Sequence, residues 1–324
     1  MFKFIDDAYK ISATIYTLGK SMQKKIDTRN AIGFIGLGAM GIGVVKNLLN
    51  NNVAVSVFDI NQEKKTELTA LGASFEKDPA TVASKVKKLF LCLPFRPEVE
   101  SVLFNDKGVT AGSKSGLMVL DMSTLLSKDS VEFSQRLKKV GISYNDAPIS
   151  GLPYRAQNGS LTVLFGGSEK EFSSFTPYLN IIGNFILHCG PVGTGQMMKA
   201  FNNVLYNINI AGLSEVFPLA LKAGLKKNAL EKLFTTGSSK SFVSEYFVPK
   251  MVNRVFTGDY QMNAAVKDIT NVKSITNDFE AETPMLDGMI KIYMEAIELG
   301  YGSEAKSAMI KVYEKKLRFP SNNS

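Results

Sequence analysis

From residue 31 to about residue 190, short apolar runs alternate with stretches of helical period. Ala31-Ile32-Gly33-Phe34-Ile35 is brief and nearly continuous in apolar character, the pattern of a strand buried on both faces. Met40, Val44, Val45, Leu48 and Leu49 then recur on one helical face, Asn51 and Asn52 make a turn, and 53–58 reads as a second strand. Further strands are predicted at 89–93, 117–120 and 142–144, then at 161–165, closed by Gly166 and Gly167, and at 185–187. Alternation of this kind predicts βαβ units, hence an α/β Rossmann domain with a doubly wound, mainly parallel sheet.

Beyond Gly195 helical periodicity takes over, at 196–223, 228–236, 260–278, 285–299 and 303–316. Pro218 is expected to kink the first of these or end it early. The organisation expected is an N-terminal extension (1–30), an α/β domain (31–192), an all-helical domain joined to it by a long helix (193–318) and a short tail (319–324). No internal repeat or low-complexity segment stands out.

Composition narrows the function classes. Hydrophobic residues at 45% and charged residues at 21% suit packed cores, and 324 residues suit two domains. No continuous apolar run approaches the ~20 residues that span a bilayer, so no membrane partner is expected. Lys and Arg exceed Asp and Glu by 38 − 30 = 8, yet they are spread along the chain in doublets such as Lys24-Lys25 and Lys315-Lys316. Without a basic stripe, nucleic-acid binding is not expected, whereas a mildly positive surface suits an anionic substrate and cofactor.

Two cysteines, Cys92 and Cys189, cannot make a disulfide framework, and a reducing, cytoplasmic setting is expected. No Cys, His and carboxylate set has ligand spacing, so no metal is expected. Residues 1–30 carry six basic and three acidic residues, with Ile11, Ile15, Leu18 and Met22 at helical spacing. That pattern leaves a mitochondrial presequence open, but Asp6 and Asp7 favour a peripheral helical extension.

The central motif is Gly36-Leu37-Gly38-Ala39-Met40-Gly41, directly after a predicted strand and opening a helix. In that context Gly36 permits the tight turn, Gly38 lets a pyrophosphate approach the backbone, and Gly41 lets helix and strand pack closely. The exposed amides and positive end of the helix then hold phosphates. Asp59, ending the second strand, is placed to accept hydrogen bonds from ribose hydroxyls and to repel the extra phosphate of NADP. Ile60, Asn61 and Gln62 follow with no Arg, although Lys64 and Lys65 are near. The cofactor expected is therefore NAD, with NADP less favoured.

Several segments in matching order resemble the β-hydroxyacid dehydrogenases of the 3-hydroxyisobutyrate dehydrogenase type, over about residues 31–313. They are the glycine motif, Asp121-Met122-Ser123-Thr124, Asp146-Ala147-Pro148-Ile149-Ser150-Gly151 and Gly159-Ser160-Leu161-Thr162. Gly195-Gln196-Met197-Met198-Lys199-Ala200-Phe201-Asn202-Asn203, Lys267-Asp268 and Ser307-Ala308-Met309-Ile310 complete the series.

The resemblance implies that Lys199 is the catalytic lysine, taking the hydroxyl proton as hydride leaves. Asn203, one helical turn on and on the same face, then hydrogen-bonds the lysine or the substrate hydroxyl. It also implies that Ser123 binds substrate and Thr124 the cofactor, although both residues also suit a helix cap. Ser150 and Gly151 correspond to a loop that binds the substrate carboxylate through backbone donors, Leu93 and Pro94 to a cofactor-lining turn, and Lys267 to a lysine near the cofactor.

The activity implied is NAD-dependent oxidation of a small 3-hydroxy acid. Reduction of a small aldehyde acid, or a non-catalytic NAD(P)-binding scaffold, are the alternatives. A homo-oligomer, dimer or tetramer, is implied as well. Leu152 departs from the family's usual glycine, so the usual substrates do not transfer directly. His188, the single histidine, lies in a strand-like piece and reads as structural.

Overall fold

The computed structural model describes residues 31–258 and 260–319; the proposed N-terminal extension 1–30 and residues 320–324 of the tail lie outside the described residues. Two compact units emerge, the first ending at Lys199 and the second beginning at Ala200.

The first unit alternates strand and helix: β1 (Ile32–Ile35), α1 (Gly41–Asn50), β2 (Val55–Phe58), α2 (Lys65–Ala70), β3 (Ser74–Phe75), α3 (Pro79–Lys85), β4 (Lys88–Leu91), α4 (Arg96–Phe104), α5 (Val109–Gly112), β5 (Met118–Asp121), α6 (Ser127–Lys138) and β6 (Ser143–Asp146). It closes with β7 (Ile149–Ser150), α7 (Pro153–Gln157), β8 (Leu161–Gly166), α8 (Glu169–Ile182) and β9 (Gly183–Gly190). The strands lie in the order β3-β2-β1-β4-β5-β6, every neighbouring pair parallel. Beyond β6 the sheet continues into β8, which runs antiparallel to β6 and β7 and parallel to β9.

Successive side chains of a strand face opposite sides, so one apolar strand feeds two cores. Ile32 and Phe34 of β1, Phe90 of β4 and Leu120 of β5 join Val44, Val45 and Leu48 of α1 and Phe175 of α8 on one face. Their neighbours Ile35, Leu89, Leu91 and Val119 join Val82 of α3, Val99 of α4 and Phe133 of α6 on the other. Each such buried side chain contributes about 1.5–3 kcal/mol, which explains the near absence of polar alternation in these strands.

The chain leaves β1 toward β2 and later returns across the sheet to β4. The connections after β1 and β4 therefore diverge, leaving a crevice at the carboxyl ends of those strands.

Helix α9 (Thr194–Lys222) starts in the first unit, and α10 (Lys227–Thr236), α11 (Phe242–Val252), α12 (Met262–Asp278), α13 (Pro284–Glu298) and α14 (Ile310–Lys316) follow. Ile210, Phe217, Phe247, Met262, Tyr293 and Met309 are among the residues of the helical core. Lys306 is buried within this unit, donating to Asn207 Oδ1 at 2.8 Å, which also accepts from the Tyr293 hydroxyl at 2.6 Å. Its ammonium lies 4.7 Å and 5.1 Å from the ring centres of Tyr206 and Tyr260, a cation–π arrangement that offsets desolvation.

Several sequence expectations are corrected. Pro218 does not end α9, which runs a further turn to Lys222. The proline forfeits one backbone bond, to the carbonyl of Ser214, while buried Phe217 and Leu221 packed on the core hold the last turn. Gly224, at φ +88°, ends the segment. Helix α11 was absent from the periodicity because it is apolar almost all round and contains Pro249; Ser241 caps it, accepting from Ser244 N at 3.1 Å. The stretch 303–316 is helical only in part, as a tight turn at Lys306–Met309 followed by α14.

Although no unbroken apolar run is long enough, α9 is long and apolar enough by length and composition to cross a membrane. Core helices of water-soluble proteins meet the same criterion, and Ile210, Ala211 and Phe217 of α9 are buried in the helical unit.

Candidate active site

The glycine motif spans the turn from β1 into α1. Gly36 has φ +99°, a left-handed conformation, and a Cβ there would collide with the Cys92 carbonyl oxygen. A Cβ on Gly41 would strike the Gly36 carbonyl oxygen. Gly38 is different: nothing lies within 4 Å of the position its Cβ would take. Two glycines thus serve the fold and the middle one keeps a surface open.

Met40, at the N-cap of α1, offers no side-chain cap, and no acidic residue occupies the first turn. An uncapped helix start beside an open glycine is what a pyrophosphate requires, so the residues fit a dinucleotide. Leu37 is buried beneath the turn, while Ala39 and half-buried Met40 border it.

Asp59, one residue beyond β2, accepts from Leu37 N at 2.5 Å with one oxygen and from Asn61 N at 2.7 Å with the other. The carboxylate therefore braces the glycine turn. Each oxygen retains a lone pair for a ribose hydroxyl. Ile60 beside it is almost fully exposed.

At the ends of β4 and β5 the two predicted segments meet. Ser123 Oγ accepts from Leu93 N at 2.9 Å, joining the Leu93-Pro94 turn to the Ser123-Thr124 turn. Neither Ser123 nor Thr124 caps the next helix, since α6 begins at Ser127 with Leu126 at its N-cap. Ser123 N donates to Asp121 Oδ1 at 2.9 Å, and Tyr144 donates its hydroxyl to Asp121 Oδ2 at 2.7 Å. Burial holds the Asp121 carboxyl above its usual range against these bonds. Burial, then the charge of Asp121, pushes the Cys92 thiol up to about 12, so it stays protonated and unreactive.

The start of α9 joins the same cluster. Gln196 donates from Nε2 to the Ser123 carbonyl at 2.8 Å and accepts from Leu125 N at 3.0 Å. Lys199, half-buried, follows three residues later, and Asn203 lies one turn further along the helix. Lys267 falls on α12, with its side chain outside the described residues.

Ser150 pairs with Thr162 of β8, and Gly151 has φ +144°. A Cβ on Gly151 would press on Leu161 and Arg155, so only glycine suits this turn. Leu152 is half-buried at the N-cap of α7. Helix α7 in turn sits on α1, with Ala156 against Gly43 and the Ala156 carbonyl accepting from Asn47 Nδ2 at 2.5 Å.

His188 is placed as a structural residue. It donates from Nε2 to the Gly167 carbonyl at 2.7 Å and stacks on Phe172 with ring centres 4.9 Å apart. Among the described residues no group of His, Cys, Asp and Glu has the arrangement of a metal site.

Comparison with known proteins bears on this arrangement directly. Residues 31–193 match the family described as the NAD binding domain of 6-phosphogluconate dehydrogenase. Residues 193–313 match the family described as NAD-binding of NADP-dependent 3-hydroxyisobutyrate dehydrogenase. The chain is 33% identical to 2-(hydroxymethyl)glutarate dehydrogenase of Eubacterium barkeri, over 87% of this chain and 94% of that protein. The chain belongs to the β-hydroxyacid dehydrogenase family.

Mitochondrial 3-hydroxyisobutyrate dehydrogenase of Mus musculus is 28% identical over 90% of each chain. The crystal structure of 3-hydroxyisobutyrate dehydrogenase from Salmonella typhimurium superposes with a TM-score of 0.78 at 27% identity, covering 87% of this chain and 99% of that one. Family membership makes the protein an NAD(P)-dependent dehydrogenase and favours that reading over a non-catalytic scaffold.

Within this β-hydroxyacid dehydrogenase, two elements of the site escaped sequence reasoning. The bonds from Gln196 to the Ser123 turn cross more than seventy residues of chain, and no local periodicity marks them. The bracing of the glycine turn by Asp59 spans a shorter stretch of 22 residues, yet it too has no local mark.

Proposed function

We propose that the protein oxidises the hydroxyl-bearing carbon of a small 3-hydroxy acid, with NAD preferred and Lys199 as the group that accepts the hydroxyl proton. The observation that carries this reading is the hydrogen-bonded bracket at Gln196, which ties the Ser123 turn to the helix that presents Lys199.

The bound dinucleotide supplies the hydride acceptor. Lys199 loses a proton before turnover and takes the substrate's, and as a cation it stabilises alkoxide character in the transition state. Asn203, on the same face, orients the amine or the hydroxyl. Ser123, Ser150 and Gly151 offer hydroxyl and backbone donors for a carboxylate, which suits a small anionic acid. Thr124, Leu93 and Pro94 border the cofactor, and Lys267 is assigned to it by family resemblance alone. The same groups serve reduction of an aldehyde acid when the proton flow reverses.

Leu152 supports a substrate different in shape from 3-hydroxyisobutyrate, because its side chain adds volume beside Gly151. The test is a panel of short 3-hydroxy acids assayed with NAD and with NADP. Turnover is expected with at least one such acid, with kcat/KM about 10–100-fold higher for NAD, the effect of one well-placed charge on a 2′-phosphate. No turnover across the panel would sink the substrate class, and a preference for NADP would remove Asp59 as the discriminating group.

Self-association is part of the same proposal. Phe201, Leu205, Val216 and Leu219 of α9 are exposed at 45%, 61%, 50% and 44%, an apolar surface that a second copy would cover. Light scattering at micromolar concentration is expected to give two or four times the mass of the chain. A monomer would overturn it.

A further inference from the structure

We infer that Asp146 is a positioning residue for Lys199, its ionised carboxylate fixing the start of α9 against the Ser123 turn, and that turnover fails on the acid side when this carboxylate takes up a proton. The inference rests on the reading of Lys199 as the proton carrier.

Asp146 ends β6 and is fully buried. Its Oδ1 accepts from Gly193 N at 2.6 Å and its Oδ2 from Gln196 N at 2.8 Å, so one side chain holds two backbone amides at the start of a 29-residue helix. Those amides form the positive end of the helix, where a negative charge is favoured. The space is reserved for it: a Cβ on Gly166 would collide with Oδ1, and one on Gly195 would come within 2.7 Å of Oδ2. Gln196, held through its backbone by Asp146, grips the Ser123 turn with its side chain. Lys199 is three residues further on the same helix, so its height relative to Ser123 is set by these bonds.

The titratable groups facing the carboxylate are known from each neighbouring strand. Asp121 stands on β5, Tyr144 on β6 itself and Cys189 on β9, while β8 brings Gly166, and the start of α9 with the residue before it brings Gly195 and Gly193. Burial pushes the Asp146 carboxyl up to about 6, opposed by the amides of Gly193 and Gln196 and assisted by the charge of Asp121. Tyr144 and Cys189 lie above their ordinary ranges and stay neutral through this window.

A protonated carboxyl keeps one good acceptor oxygen, so one of the two anchors loosens. Because the folded-state value lies above the ordinary 3.8, proton uptake near pH 6 favours the folded chain over the unfolded one. Loss of turnover in this window is therefore separable from loss of fold.

The experiment compares wild type, Asp146→Asn and Lys199→Ala, following kcat from pH 5 to 9 and the amide NMR signals of Gly193 and Gln196 in the cofactor-free protein. In wild type both amides are expected to titrate with a midpoint near 6, in step with an acid limb in kcat. Asp146→Asn should remove the titration and the part of the fall in kcat centred near pH 6, leave the fall that belongs to Lys199, and lower kcat by about 10–100-fold, the effect of an ångström-scale misplacement of the reacting groups. Flat amide signals in wild type overturn the inference, whether or not the variant folds. So does an Asp146→Asn protein that keeps the component of the fall centred near pH 6. Full turnover in Lys199→Ala would instead remove the function proposed for the lysine, a separate outcome.

Discussion

Replacing Lys199 with alanine is expected to lower kcat by about 10²–10⁴-fold, the usual worth of a positioned acid–base group. Affinity for NAD should stay within about twofold, because an interaction made only in the transition state leaves ground-state binding unchanged. The two readouts are steady-state turnover on the best hydroxy acid and fluorescence titration of NADH. Lys199→Arg should not restore the rate, since guanidinium does not give up a proton near neutrality. If the alanine variant turns over normally, the proton leaves the hydroxyl by some other route.

Gly36→Ala and Gly38→Ala are expected to fail in different ways, although both belong to one motif. At Gly36 an added methyl meets the Cys92 carbonyl and the backbone sits at φ +99°. Strain and overpacking together should destabilise the cofactor-free protein by about 2–5 kcal/mol, read by urea denaturation. At Gly38 the methyl enters open space, so the same measurement should move by less than about 1 kcal/mol, the ordinary cost of a tolerated change. NAD affinity should nonetheless fall sharply in Gly38→Ala if that space admits the pyrophosphate to the backbone, as the motif implies. Unaltered NAD binding in Gly38→Ala would mean the dinucleotide lies elsewhere.

The legibility of this chain follows the range of the interactions. Gly36, Gly38, Gly41 and Asp59 were readable because a tight turn, a helix start and a strand end are local demands with local residues. The central strands were readable because both faces are buried, which leaves a continuous apolar run. Helix α11 was hidden for a related reason, as its more exposed face carries Phe242 and Tyr246 beside few polar residues and it holds Pro249, so neither period nor propensity betrays it. The Lys199 segment stood out only through its resemblance to the family, since a lysine and an asparagine on a helix are unremarkable alone. Asp146, Gln196 and Asp121 belong to motifs that were noticed, yet their partners depend on how strands and helix start converge. The burial of Lys306 had no sequence signal, because the rings and amide around it come from two separate helices, α9 and α13, and from Tyr260 just before α12.

The seating of α7 on α1 has an engineering consequence. Gly43 leaves no room for a methyl between the two helices, and Asn47 is bonded to the backbone of Ala156. Reprogramming this enzyme toward a bulkier acid by transplanting residues 150–157 from a relative therefore amounts to redesigning the nucleotide helix as well. A graft that ignores Gly43 and Asn47 would change selectivity at the expense of cofactor retention.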